Sequence, residues 1–279
     1  MEGKKSAPRG EKSYHRALTI AGSDSGGGAG IQADLKTFSA LGCYGLSVIT
    51  ALTAQNTVGV TGIHPVPPEF VQSQMEAVFS DIGVDAVKIG MLFSEELIQA
   101  ITGKLKEHNV HPIVLDPVIV AQSGDKLLQD EAIAAIREYL IPLADILTPN
   151  LVEASVLLDR RLDSPDDIVS GAKSIAQWGC RAVLIKGGHS DSQDCNDILY
   201  LSENDRVITL TDKRINTRNN HGTGCTLSSA IAAHLAKGAN MEAAVKKAKE
   251  YITAAIQSGA KYRIGEGHGP VHHFYHFWK

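Results

Sequence analysis

The run Asn219-Asn220-His221-Gly222-Thr223-Gly224-Cys225-Thr226 holds the residue types that a turn built for anions needs. It follows the apolar run 207–210 and leads into a stretch of small and apolar residues, 227–237, that reads as a helix. Gly222 and Gly224 around Thr223 let the backbone turn tightly, with no Cβ between it and a close ligand. A helix that starts there aims its unpaired N–H groups and the positive end of its dipole at the turn. Such a site suits a phosphoryl group in transfer. Cys225 stands at the helix start, where a thiolate is favoured and could accept a hydroxyl proton. The plainer reading of Cys225 is a small core residue.

Other loops carry further candidates. Gly28-Ala29-Gly30-Ile31-Gln32-Ala33 fits the dinucleotide pattern GxGxxA, which also needs an acidic residue about twenty positions on. Residues 47–60 contain no Asp or Glu, so that reading fails. A Walker A loop is absent as well, because Gly103-Lys104 is followed by Leu105. The glycines from Gly22 to Gly30 instead allow a small substrate to approach closely, with Asp34 one turn into the following helix. Asp34 also reads plainly as an early-helix carboxylate favoured by the dipole. Gln55 offers a paired donor and acceptor that suits an aminopyrimidine edge, or simply bonds backbone within its loop.

Asp116 and Glu153 are carboxylates that could hold Mg²⁺, directly or through water, beside phosphate oxygens. Asn150 and Glu153 have the spacing of a capping box, which does not exclude metal duty. Lys186 could meet nucleotide phosphates as a flexible point charge. At the C-terminus His268, His272, His273 and His276 invite a metal reading, but Phe274, Phe277 and Trp278 among them favour a tail packed on the body or on a second subunit.

The elements that must position these loops alternate along the chain. Strands are expected at 17–21, 46–54, 85–89, 112–115, 145–147 and 182–185, and a hairpin at 198–210. Helices are expected at 31–41, 68–80, 94–108, 131–139, 151–158, 164–178, 226–237 and 241–257. Continuous apolar strands between amphipathic helices predict an α/β fold with a mainly parallel sheet covered on both faces. Ligands of such sheets bind beyond the carboxyl ends of the strands, which puts the candidate loops on one rim.

The chain has 279 residues, 43% hydrophobic and 21% charged, which suits one globular domain. Twenty-seven basic residues against 31 acidic give a formal charge of −4, so neither nucleic acid nor an anionic membrane is an expected partner. Four cysteines without CxxC spacing fit a reducing, cytoplasmic setting. Residues 1–16 are polar and basic, read as a loose extension before a single domain over 17–279, and lack the apolar core of a signal peptide. No apolar run is long enough to span a bilayer.

Taken together, the motifs resemble the hydroxymethylpyrimidine/phosphomethylpyrimidine kinases of thiamine biosynthesis, in the ribokinase-like superfamily. The resemblance runs from about Ala17 to the end. It rests on Leu18-Thr19-Ile20-Ala21-Gly22-Ser23-Asp24, Gly27-Gly28-Ala29-Gly30-Ile31-Gln32-Ala33-Asp34, Ala54-Gln55-Asn56-Thr57, Lys88-Ile89-Gly90-Met91-Leu92, Asp116-Pro117-Val118, Thr148-Pro149-Asn150, Lys186-Gly187-Gly188-His189, the segment from His221 to Thr226, and Gly269-Pro270-Val271-His272-His273-Phe274.

The resemblance implies a three-layer α/β/α fold and an ATP- and Mg²⁺-dependent kinase. Its substrates would be 4-amino-5-hydroxymethyl-2-methylpyrimidine and then the monophosphate. It further implies that Gln55, Gly22, Asp34 and Met91 line the pyrimidine pocket. Asp116, Asn150, Glu153 and Lys186 would serve nucleotide and metal. Gly222, Thr223, Gly224 and Cys225 would form the catalytic anion hole, and the superfamily's habit suggests a homodimer. Sugar kinases of the superfamily carry an aspartate base where Cys225 stands, so this sequence points away from sugars. Three rival readings are a pyridoxal or pyridoxine kinase, a cysteine hydrolase using Cys225 with His221, and a nucleotide-binding protein without turnover.

Overall fold

The computed structural model describes residues 12–119, 128, 130–187 and 194–278. In chain order its elements are β1 (Arg16–Ala21), α1 (Gly30–Ala40), β2 (Tyr44–Ile49), β3 (Ala51–Gln55), β4 (Val60–Pro65), α2 (Pro68–Ala77), β5 (Ala86–Ile89), α3 (Glu95–Glu107), β6 (Ile113–Leu115), α4 (Asp130–Ala135), β7 (Ile146–Leu147), α5 (Leu151–Leu158), α6 (Pro165–Ala176), β8 (Ala182–Ile185), β9 (Asp194–Leu201), β10 (Arg206–Lys213), α7 (Thr223–Ala236) and α8 (Met241–Gly259).

Eight strands form one sheet in the order β10-β9-β8-β7-β6-β5-β1-β2. From β2 to β8 every pairing is parallel, and β9 runs antiparallel to both of its neighbours. β5, β6 and β8 are buried at every residue, because helices cover both faces and no position alternates toward water. One apolar core lies under α2, α3, α5 and α6, and the other under α1, α7 and α8. The chain passes from β1 outward to β2, then crosses back to β5 on the other side of β1. That reversal opens a crevice at the carboxyl ends of β1 and β5.

Local signals set the helix ends. Ser94 accepts from the Leu97 amide at the start of α3, with Glu95 and Glu96 in the first turn and Lys104 and Lys106 in the last. Ser164 with Asp167, and Asn150 with Glu153, form reciprocal capping boxes at α6 and α5.

Three expectations need correcting. The single strand expected over 46–54 breaks at Thr50, whose amide makes a bond to Ala21, the last residue of β1. Beyond that point no neighbour remains in the main sheet, so β3 leaves it and pairs antiparallel with β4. β4 is exposed along its whole length and therefore carries no core pattern. Arg16, placed in the loose extension, instead opens β1 and ion-pairs with Asp85 at 2.8 Å. The helix expected over 68–80 is regular only to Ala77 and ends in a wide turn over Val78–Ile82.

Candidate active site

The loop after β1 is organised by Asp24, which is 2% exposed. Its carboxylate accepts the amides of Gly26 (2.8 Å), Gly28 (3.0 Å) and Ala29 (2.8 Å). It also takes the His221 ring, Nε2 to Oδ2 at 2.9 Å. Burial opposes the charge, yet His221 and these amides together hold the carboxyl down to about 2. The glycine loop and the turn before α7 are thereby one unit, although 197 residues separate the partners.

His221 also reaches Gln55, Nε2 to Nε2 at 3.4 Å. A carboxylate only accepts, so His221 Nε2 carries the proton and Gln55 must present its carbonyl oxygen to it. The other end of the amide agrees. Thr53 Oγ1 lies 2.9 Å from the Ser23 carbonyl and 3.3 Å from Gln55 Oε1; with its one proton given to Ser23, it accepts from Gln55 once the oxygen and nitrogen of that amide are exchanged. One amide hydrogen and one carbonyl lone pair of Gln55 then remain for a ligand.

Across the crevice, α7 begins at Gly222, whose φ of +76° favours glycine. A Cβ there would run into the Gly28 carbonyl. A Cβ on Gly224 would stand 3.3 Å from Lys186 Nζ and 3.7 Å from Asp116 Oδ2. The amides of Gly222, Gly224 and Cys225 donate to no acceptor among the described residues. Thr223 differs from that set: its hydroxyl and its amide both turn back to the Asn220 carbonyl.

Beneath this turn lie two ion pairs. Lys186 Nζ meets Asp116 Oδ1 at 3.0 Å, Thr148 donates to the same oxygen at 3.2 Å, and Ser228 Oγ lies 3.2 Å from Oδ2. Burial disfavours both charges, but each holds the other ionised: Asp116 is lowered and Lys186 raised. Glu153, 3% exposed, is pushed up to about 7 by burial and by the Asp116 charge, against the pull of Lys186. Asn150 fixes Glu153 by accepting its amide (2.9 Å) while the Asn150 amide bonds Oε2 (2.8 Å).

The second pair is Lys88 with Asp34, 2.8 Å apart and wholly buried. Thr19 donates to Asp34 at 2.7 Å and Ser229 at 2.6 Å. Burial disfavours the Lys88 charge, but Asp34 and other nearby acids more than offset it, so its pKa is raised. Asp34, expected to line the substrate pocket, has no exposed surface and is filled by three donors, which makes it a buried anchor for α1 and α7. Gly22 and Met91 do meet at the crevice, where a Gly22 Cβ would stand 3.0 Å from Met91 Cε.

Cys225 keeps partial solvent contact, but burial pushes its thiol up to about 11, only partly relieved by Lys88. The expectation of a favoured thiolate at the helix start fails chiefly because the sulfur is buried, with Asp34 and Asp116 adding negative charge around it. The C-terminal histidines do not form a metal cluster among the described residues. His273 is buried on Thr226, and His272 packs against Tyr262 and Trp278. Gly188 and His189 lie outside the described residues.

Sequence reasoning passed over Asp24 and Lys88. The signal for Asp24 was an Asp two residues before a glycine, the start of an Asx turn. For Lys88 it was a lone charge inside an apolar strand.

The chain as a whole is similar to a known group of proteins. The family model for phosphomethylpyrimidine kinase matches residues 24–272. The chain belongs to that family. It is 54% identical over 264 residues to a hydroxymethylpyrimidine/phosphomethylpyrimidine kinase of Rhizobium meliloti, covering 94% of this chain and 98% of that one. The crystal structure of a phosphomethylpyrimidine kinase from Clostridium difficile is similar with a TM-score of 0.77 and 48% identity, over 86% of this chain and 99% of the other. A pyridoxal kinase from Staphylococcus aureus in complex with ADP is similar with a TM-score of 0.87 and 36% identity, over 95% and 96% of the two chains. The three-layer, mainly parallel architecture is thus the ribokinase-like fold of this phosphomethylpyrimidine kinase family.

Proposed function

We propose that the protein phosphorylates 4-amino-5-hydroxymethyl-2-methylpyrimidine, and then its monophosphate to the diphosphate, with ATP and Mg²⁺. The observation that carries this reading is the row of amides at Gly222, Gly224 and Cys225, unpaired among the described residues. It lies over the Lys186–Asp116 pair, with Gln55 bordering the same turn through His221.

Gln55, with one donor and one acceptor left free, would bond the aminopyrimidine edge, between Gly22 and Met91. The substrate hydroxyl would then face the turn, where the amides stabilise charge on the phosphoryl oxygens as bonds loosen. Lys186 would hold nucleotide phosphate. A hard divalent cation fits the donor set, since Asp116 and Glu153 crowd two carboxylates around one ammonium, and Glu153 is raised by burial and by the Asp116 charge. When bound, Mg²⁺ would neutralise phosphate charge, held by Glu153 and Asp116, with Asn150 keeping Glu153 in place. Cys225 is a thiol at rest, so the positioned amides carry the main load. Its sulfur would take the hydroxyl proton only as the thiolate, its own proton having passed to water.

Pyridoxal kinase activity is the weaker reading, because identity is 43–54% to the hydroxymethylpyrimidine/phosphomethylpyrimidine kinases and 35–39% to the pyridoxal kinases. A cysteine hydrolase is not supported, since among the described residues no hydrogen bond joins His221 to Cys225, and the Cys225 thiol is held near 11. A homodimer is supported by the exposed apolar side chains Leu52, Val60 and Ile63 on the β3–β4 hairpin. Among the described residues no helix is long and apolar enough to cross a membrane, which accords with a cytoplasmic setting. A single domain over 17–279 is supported by the continuous eight-stranded sheet. Coupled ADP release with a panel of vitamin-precursor alcohols tests the reading. Turnover of the pyrimidine alcohol is expected, and ADP release only with pyridoxal would overturn it.

A further inference from the structure

The segment after α8 does more than close the chain. The Gly267 amide donates to Thr57 Oγ1 (3.2 Å) and the His268 amide to the Thr57 carbonyl (2.9 Å), two residues past Gln55. The His221 amide donates to the Gly269 carbonyl (3.0 Å), Pro270 bridges to His221, and His268 Nδ1 lies 3.0 Å from Asn220 Oδ1. Pro270 also packs on the first glycine loop, within 3.2 Å of where a Gly28 Cβ would stand. Further on, His273 is 5% exposed. Its Nε2 meets Thr226 Oγ1 at 3.1 Å, and its carbonyl accepts from Tyr251 Oη at 2.7 Å. Thr226 closes the first turn of α7 through its amide to the Gly222 carbonyl (2.9 Å). One segment of seven residues therefore touches the hairpin that carries Gln55, the glycine loop, the anion turn and the helix behind that turn.

We propose that residues 267–273 are a positioning strap, latched by His273 to Thr226, that fixes the gap between the pyrimidine end of the site at Gln55 and the phosphoryl end at Gly222–Cys225. The strap touches neither reacting group, so His273 and Thr226 are positioning residues. The proposal rests on the kinase reading for its kinetic consequence, but the bridging itself is a property of the folded chain. Reaction across a gap is steep in distance: a misplacement of about 1 Å costs on the order of a hundredfold in rate.

The test uses the full-length protein as His273→Ala, His273→Gln, Thr226→Val and the double variant His273→Ala/Thr226→Val. Steady-state kinetics are measured well below each melting midpoint, together with amide hydrogen exchange. His273→Ala is expected to lower kcat at least tenfold with KM for MgATP changed less than about twofold. His273→Gln, which can still bond Thr226, should recover most of kcat. The double variant should be no slower than the slower single variant. Exchange should quicken at 55–57 and 222–226 together while the central sheet stays protected.

A kcat within twofold of wild type in His273→Ala, equal losses in the Ala and Gln variants, or losses that multiply in the double variant would overturn the strap. So would unchanged exchange at either end. Should His273→Ala fail to fold, Thr57→Ala loosens the strap at its solvent-facing end and decides the same question. A severalfold fall in kcat at constant MgATP KM supports the strap, and an unchanged kcat removes it. A wild-type protein inactive on the pyrimidine alcohol would refute the kinase reading, and the exchange data would still decide the strap.

Discussion

Asp24 and His221 meet at 2.9 Å, and that contact joins the first glycine loop to the turn that opens α7. The same carboxylate gathers three amides, so a single side chain shapes one wall of the crevice and orients the ring that orients Gln55.

Replacing Asp24 with Asn keeps the size but leaves one acceptor oxygen where two were used. Hydrogen bonds to charged groups are worth about 1.5–3 kcal/mol each, so the variant should unfold at lower urea and show a raised KM for the pyrimidine alcohol. The pH dependence has a definite sign. The folded carboxyl sits below the ordinary aspartate value of 3.8, at about 2. Its contribution is therefore present above 3.8 and is lost as pH falls through 2. Melting midpoints recorded from pH 5 to pH 2 should drop along that interval in the wild type and drop less in Asp24→Asn.

Gly224→Ala should leave the fold nearly intact, because Gly224 has ordinary helical backbone, yet its methyl would stand 3.3 Å from Lys186 Nζ, where the proposed reaction would place phosphate. A fall in kcat of about a hundredfold is expected, the scale of losing one oxyanion donor. Gly222→Ala should instead destabilise, since φ is +76° and the Gly28 carbonyl blocks the added carbon. Thermal melts beside initial rates separate the two effects.

Lys88→Met strands the Asp34 charge in a fully buried place. Breaking a buried pair from one side costs about 3–5 kcal/mol, and Lys88→Met/Asp34→Leu should regain much of it. Urea titrations of the single and double variants measure this. A single variant as stable as wild type would show the pair to be dispensable.

His273 is kept neutral: burial pushes its pKa from 6.5 down to about 3. Between those values the unfolded chain binds a proton that the folded one refuses, so stability falls as pH drops below 6.5, by up to about 1.4 kcal/mol per unit. His273→Gln should flatten that slope in pH-dependent unfolding.

Cys225→Ala should lower kcat by about 10²–10⁴-fold if the sulfur takes part in proton transfer, with ATP still protecting the fold against heat. Near-normal turnover would leave the amides and Lys186 as the whole machinery.

Much of this site was legible in the chain. The glycine turn, the Asn150–Glu153 box and the strand-end carboxylate Asp116 each have a local signature, because backbone conformation and capping act over a few residues. What was not legible depends on distant partners. Lys88 and Asp34 are 54 positions apart and look separately like a strand oddity and a helix-start acid. The Cys225 environment was misread for the same reason, since its sulfur is buried by distant elements and the acids near it come from α1 and from the end of β6. β4 escaped notice because it is exposed along its length and no apolar alternation marks it.

Ser228 and Ser229 are consecutive, yet one reaches Asp116 and the other Asp34, on two lysine-balanced carboxylates. These two contacts oppose rolling of α7 about its axis and sliding along the sheet, since either would part a serine from its carboxylate. In the kinase reading the cradle for the migrating group would therefore be a stationary anvil, and the contacts of residues 267–269 with Thr57 and His221 would extend that fixity to the small hairpin bearing Gln55.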